Sequence, residues 1–384
     1  MKLIFPEGFY WGASTSSYQV EGGIENNDWA KAGREGRVPK AGESSDHYNR
    51  FEEDFDIAKS IGHNSHRLSI EWARIEPEEG KFNEGEIEHY RSVLKVLNDR
   101  GLEPFVTLFH FTLPLWLAER GGVHSEEFSK YFARYCEYVV SKLDNECKNW
   151  TTINEPLVFA ENGWIRGVWP PFKKVRLFKF ISVLNILSRA HNDACIKIKN
   201  VNTDNKVSIV KDNIYFHANW NPINKLLASF MNWFWNRRFL SKVYKHCDSI
   251  GLNYYFHHQF GGINKYEKTD MGWDIYPEGI YYTLLELKRY GLPVYVAESG
   301  IADAKDTKRS QFIRDHLQQC YRAIKDGVDL RGYMYWSLLD NFEWALGYDK
   351  RFGLVEIDYE TKKRTVRPSA QVYKEICETN VLEL

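Results

Sequence analysis

Cysteine is sparse and scattered: six residues, Cys136, Cys147, Cys195, Cys247, Cys320 and Cys377, none of them in a CxxC pair. No Cys/His cluster has zinc-site spacing, so neither a disulfide framework nor a structural zinc organises the fold. The six read as free, partly buried thiols, as in a reducing compartment. Charge of one sign is also lacking. Lys and Arg total 51 against 52 Asp and Glu, so no whole-protein attraction to nucleic acid or anionic membrane is expected, although local patches stay open. No apolar run approaches the roughly 18 residues of a membrane span. The opening MKLIFPEGFYWG is too short, and too broken by Pro6, Glu7 and Gly8, for a signal peptide. A soluble, cytoplasmic protein without membrane or nucleic-acid partners is expected. There is no linker, low-complexity run or internal repeat, and no GxGxxG after an early strand to mark a dinucleotide fold.

Aromatic residues, by contrast, are abundant: 13 Trp, 23 Tyr and 23 Phe. Their default use is core. A sugar-binding cleft also needs indole faces, and composition does not separate the two.

Short segments rich in β-branched and aromatic residues recur near 8–14, 64–71, 103–110, 149–154, 206–213, 249–255, 293–299 and 330–337. Helical periodicity falls between them. Residues 125–143 place Phe128, Tyr131, Phe132, Tyr135, Tyr138 and Val139 on one face, with Ser125 as N-cap. Residues 50–61, 84–100 and 310–326 repeat the scheme, each followed closely by a glycine. Eight alternating units predict a single (β/α)₈ TIM barrel over 1–384. Residues 214–247, with Trp220, Trp233, Phe234, Trp235, Arg237 and Arg238, fit neither pattern.

Barrel chemistry sits at the C-terminal strand ends. Those ends are polar and aromatic here: Arg67, His110, Asn154 and Glu155, Asn253 and Tyr255, Glu298 and Trp336. Glu155 and Glu298 follow strands 4 and 7, on opposite sides of such a mouth. Two carboxyls flanking an acetal are the machinery of glycoside cleavage, one protonated and one ionised. The plainer reading of either glutamate alone is a surface ion pair. His110 alone reads as structural, and Gln19 and Glu21 as loop polar groups. Asp340, Asn341, Glu343 and Trp344 in YWSLLDNFEWALGY suit a polyhydroxyl ligand or, equally, an acidic loop over core.

The segments FPEGFYWGASTSSYQVEG, HRLSIEWARIEP, TLFHFTLPLWL, TINEP, IGLNYY, MGWDIYPEGIYYTLLELKRYGLPVYVAESG and YWSLLDNFEWALGYDKRFGLVEID resemble glycoside hydrolase family 1, nearly end to end and in family order. The resemblance implies a barrel of retaining β-glycosidases. It implies Glu155 as acid/base and Glu298 as nucleophile. It also implies Gln19, His110, Asn154, Glu343 and Trp344 on the sugar, Trp336 beneath it, and Arg67, Asn253 and Tyr255 around the nucleophile. No metal or organic cofactor is implied, and the partner is a small β-glycoside or oligosaccharide. Glu343 implies non-phosphorylated sugars, because an acid repels phosphate. Transglycosylation and a catalytically silent sugar-binding barrel are the alternatives. Three departures stand out: Ser299 for the usual Asn after the nucleophile, Phe111 for the usual Trp after His110, and a short stretch between strands 4 and 6. The last predicts a differently shaped entrance.

Overall fold

The computed structural model describes residues 1–262 and 265–384. Eight parallel strands close into a barrel. They are β1 (Tyr10–Ser14), β2 (Ser65–Ser69), β3 (Glu103–Phe109), β4 (Asn149–Asn154), β5 (Lys206–Asp212), β6 (Ser249–Asn253), β7 (Val294–Ser299) and β8 (Leu330–Trp336). Each lies within a segment expected to be a strand. β8 pairs back onto β1, from Gly332↔Tyr10 to Trp336↔Ser14, and no strand edge is left open.

A main helix follows each strand: α1 (His47–Ser60), α2 (Glu84–Asp99), α3 (Phe128–Leu143), α4 (Leu177–Val201), α5 (Pro222–Asn232), α6 (Glu278–Leu287), α7 (Arg309–Lys325) and α8 (Pro368–Thr379). The apolar stripes bury as their spacing requires. Ile87, Tyr90, Leu94 and Leu97 of α2 are all within the core. Two helix starts differ from expectation. α3 begins at Phe128 rather than Ser125, because a 3₁₀ turn over Gly122–His124 intervenes and Ser125 Oγ accepts from Glu127 N at 3.3 Å. α1 begins at His47, earlier than the apolar stripe, with a kink at Arg50.

Residues 214–247 resolve into a strand (Tyr215–Ala218) paired in parallel with His257–Phe260, then α5 and a π turn over Trp233–Arg237. Pro222 at the first turn and Asn221, whose side chain accepts from Ile223 N, start α5. All six cysteines are free and buried. No helix among the described residues is long and apolar enough to cross a membrane.

The barrel floor is aromatic: Tyr10, Phe105 and Tyr295 meet with ring centroids 5.3–6.1 Å apart. The loop after β8 is held by a buried ion pair. Arg367 Nη1 and Nη2 donate to Asp340 Oδ1 and Oδ2 at 2.9 and 2.8 Å, and Gly353 N donates to Oδ1 at 2.9 Å. Asp340 is thus a brace, not a ligand-facing acid. Asn341 likewise turns inward, donating to Ser337 Oγ and Leu339 O. Removing one partner strands a buried charge, so Arg367→Met is expected to cost roughly 3–5 kcal/mol. The lower end applies because Arg351 Nη1 stays 3.3 Å from Asp340. Urea unfolding measures this, and a loss under about 1 kcal/mol would show the brace to be dispensable.

Candidate active site

Strand alternation aims side chains into the barrel in one parity only. On β7, Tyr295 and Ala297 share one face, with Val296 and Glu298 on the other. Val296 is core, so an unbroken strand would send Glu298 outward. Instead the register of β7 against β6 shifts between Val296 and Glu298. β4 shifts likewise against β5, between Thr151 and Asn154. These irregularities re-aim side chains at strand ends, and both residues enter the mouth. Gly300 follows because a Cβ there would lie 1.8 Å from Trp336 O. Glu155 takes a left-handed backbone, φ 44°, at the turn between β4 and Pro156.

One hydrogen-bonded set results. Arg67 lies midway along β2, not at its end as expected. Its long side chain donates through Nη1 to Glu298 Oε1 and through Nη2 to Asn154 Oδ1, the latter at 2.8 Å. Tyr255 Oη donates to Glu298 Oε2 at 2.7 Å. Glu298 is therefore an acceptor at both oxygens, the pattern of a carboxylate. Asn253 Nδ2 donates to Glu155 Oε1 at 2.7 Å and lies 3.3 Å from Asn154 Oδ1. Asn154 Nδ2 is 3.4 Å from His110 Nε2.

The β1 and β8 loops supply the opposite wall. Gln19 Nε2 donates to Asn341 Oδ1 and Phe342 O at 3.0 and 2.9 Å, which anchors Gln19 beside Glu343. The His110 ring is near-parallel to Trp336 and Trp344, with centroids 6.2 and 6.1 Å away. His110 Nδ1, Asn253 Oδ1 and Glu343 Oε2 are buried without a hydrogen bond among the described residues. All eleven residues expected at the site are gathered at one mouth. Glu21 is elsewhere, receiving Arg74 Nε and Tyr90 Oη at 2.8 Å.

The two glutamates sit in different electrostatic surroundings. Burial pushes Glu155 well above the usual carboxylate range, and the charges of Asp212 and Glu298 push it further. Glu343 is raised to about 8, by burial first and Glu298 second. Burial and Arg67 hold His110 well below the usual imidazole range, so its ring is neutral. No group of three or more His, Cys, Asp or Glu residues suited to a metal occurs among the described residues.

Sequence reasoning missed Asp212, at the end of β5. It shares a face with Ser208 and Val210 and pairs in register with Asn253. Both its carboxylate oxygens are buried without a hydrogen bond among the described residues. Burial raises it to about 6, against the pull of neighbouring Lys211, itself lowered to about 8 by burial. Its position, last in the fifth strand, was the available signal.

Comparison with known proteins agrees with this geometry. The family model for glycosyl hydrolase family 1 matches residues 1–248 and 224–382. The chain belongs to glycosyl hydrolase family 1. Among its family relatives, β-glucosidase A of Thermotoga maritima is 36% identical over 445 residues, covering 99% of each chain. The β-galactosidase of Pyrococcus woesei is 29% identical over 98% of each. The solved β-glycosidase from Pyrococcus horikoshii superposes with a TM-score of 0.92 at 38% identity, covering 100% of this chain and 97% of that one. The β-glucosidase from T. maritima in complex with glucoimidazole also gives 0.92, at 33% identity, covering 98% and 99%. Within this family frame one departure is packed and another leaves a polar atom unmet. Phe111 packs between Trp169 and Trp344, with centroids at 4.9 and 5.2 Å, and Ser299 Oγ is buried and unbonded among the described residues.

Asp212 next to Glu155 generates a test. An ionised Asp212 opposes a second negative charge, so Asp212→Asn should let Glu155 ionise at lower pH. Infrared difference spectra against Glu155→Gln isolate that carboxyl. Its titration is expected to move down in the Asp212→Asn variant, and an unchanged or upward titration would contradict the assignment.

Proposed function

We propose that this family 1 protein is a retaining β-glycosidase acting on non-phosphorylated β-D-glucosides, and on β-D-galactosides or fucosides as well. The observation that carries the reading is the unequal treatment of two carboxyls at one barrel mouth. Glu298 accepts at both oxygens from Arg67 and Tyr255. Glu155 is buried, pushed up, and receives one bond, from Asn253. One is arranged to attack, the other to give a proton.

In the first step Glu298 attacks the anomeric carbon as the bond to the leaving oxygen breaks, and Glu155 protonates that oxygen. In the second step Glu155 takes a proton from water. The hydroxide so formed displaces Glu298 and releases the sugar with its configuration kept. Asn154, His110 and Gln19 present polar atoms to sugar hydroxyls. Trp336 and Trp344 offer indole faces to the C–H side of the ring. Glu343 hydrogen-bonds sugar hydroxyls and, once ionised, opposes a phosphate at that place. The names of the relatives, β-glucosidases and β-galactosidases, support the glycone assignment. Transfer to another acceptor would differ only in what attacks the intermediate. We read residues 1–384 as one catalytic domain around one main apolar core, with a small second cluster at Ala302, Trp336 and Phe352. A cytoplasmic setting agrees with six free, buried thiols.

The test is hydrolysis of a panel of p-nitrophenyl β-glycosides. The unaltered enzyme is expected to cleave the glucoside, and proton NMR should show the β-anomer of the sugar forming first. Glu155→Ala should lose about 10²–10⁴-fold in rate as general acid/base catalysis is removed, and Glu298→Ala should lose essentially all turnover. First formation of the α-anomer, or full turnover in either variant, would refute the reading. A chain inert on the whole panel that still binds glucose would favour the silent barrel.

A further inference from the structure

α5 is amphipathic, but it is mounted with its apolar face outward. Ala228 is its only buried residue. Trp220 just before it, then Ile223, Leu226, Phe230 and Trp233, recur at three- and four-residue steps and form a single stripe. All five are exposed, Trp220 at 83% and Leu226 at 71%. Two of its polar side chains, Asn224 and Asn232, turn to the protein instead. Asn224 donates to Asn219 Oδ1 at 3.0 Å, and Asn232 to Glu286 Oε1 at 2.9 Å. The start of α4 adds to the patch. Val175 and Phe178 are 81% and 92% exposed, and the two parts join where Phe180 and Phe230 each meet Phe234, at 6.1 Å. An exposed apolar surface of this kind marks a place of contact.

Its charge identifies the contact. Residues 162–192 contain six Lys or Arg and no Asp or Glu, and residues 213–246 contain five and none. The whole chain has a net charge of −1, so the balanced total conceals a strongly cationic face. Lys173, Lys174, Arg176 and Lys179 are exposed around Phe178, and Lys225 on α5. A second copy docking on this patch would bring like charges together. An anionic lipid surface cancels the charge and accepts the apolar tips. Aromatic and aliphatic residues on one helix face with basic residues beside them are the pattern of an interfacial helix.

We infer that α5 and the start of α4 dock the protein peripherally on an anionic lipid bilayer. Trp220, Leu226 and Phe178 enter the headgroup–acyl boundary, and the lysines and arginines meet lipid phosphates. Both segments leave the C-terminal ends of β4 and β5, so the contact lies on the rim that bears the site. No helix among the described residues is long and apolar enough to cross that bilayer.

Co-sedimentation with vesicles tests this on the full chain. Phosphatidylcholine vesicles with and without phosphatidylglycerol are compared at low and high salt. The protein is expected to pellet with the anionic vesicles, less with the neutral ones, and less again as salt rises. The triple variant Phe178→Ser, Trp220→Ser, Leu226→Ser should lose at least about tenfold in partition, since each anchor's burial is worth that factor or more. Circular dichroism and thermal melting confirm that the variant is folded. Exchanging the four residues Lys173, Lys174, Arg176 and Lys179 for Gln should remove most of the salt dependence. The inference is overturned if the unaltered chain stays in the supernatant with both vesicle types. It is overturned too if the triple variant pellets equally well, or if light scattering shows that the patch instead pairs two copies.

Discussion

The guanidinium of Arg67 is the fixed point of this structure. It is buried midway along β2, where a cation needs its hydrogen bonds met. Glu298 and Asn154 meet those of its two terminal nitrogens, from β7 and β4, while Nε is buried without a partner among the described residues. Three strands that are not neighbours around the barrel are thereby tied together. Asn154 reaches Asn253, and Asn253 reaches Glu155, so the geometry of the second carboxyl is set through the same cation. A buried network of this kind holds its members tightly only while every member is present.

The two carboxyls differ because their surroundings differ, not because their chemistry does. Glu298 has a cation and a phenol as donors. Glu155 has one amide donor and two like charges near it, from Asp212 and Glu298. The left-handed turn at Glu155 and the register shift before Glu298 are the local distortions that bring them into one mouth. Across the barrel, β8 with β1, β1 with β2 and β2 with β3 pair without a register shift. Behind the β8 loop, the Arg367–Asp340 pair carries the segment that presents Glu343 and Trp344.

Much of this was legible in the sequence. The eight strands could be read because each is short, β-branched or aromatic, and followed by a helix of clear period. Strand-end position pointed to His110, Glu155 and Glu298 without any contact being known, and the same reading reached Arg67 although it lies inside β2. Other features were hidden for physical reasons. A register shift has no signature in residue type, so the parity that should have turned Glu298 outward gave no warning. Asp340 looked like a ligand-facing acid because its partner, Arg367, lies beyond the loop, and only the fold brings them together. Asp212 was overlooked because the fifth strand reads as ordinary up to its last residue. Residues 214–247 resisted assignment because α5 wears its apolar face outward, which defeats a reading that expects apolar stripes to be core.

The central claim is that Glu298, held by Arg67 and Tyr255, forms a bond to the sugar. The most direct measurement is mass spectrometry of protein incubated with 2,4-dinitrophenyl 2-deoxy-2-fluoro-β-D-glucoside. The fluorine slows both steps, and the good leaving group lets the first proceed. The account predicts one fluoroglucosyl group per chain, mapped by peptide digestion to Glu298 and absent in Glu298→Ala. Label on Glu155, or rapid turnover of ordinary β-glucosides with no covalent adduct trapped, would contradict it.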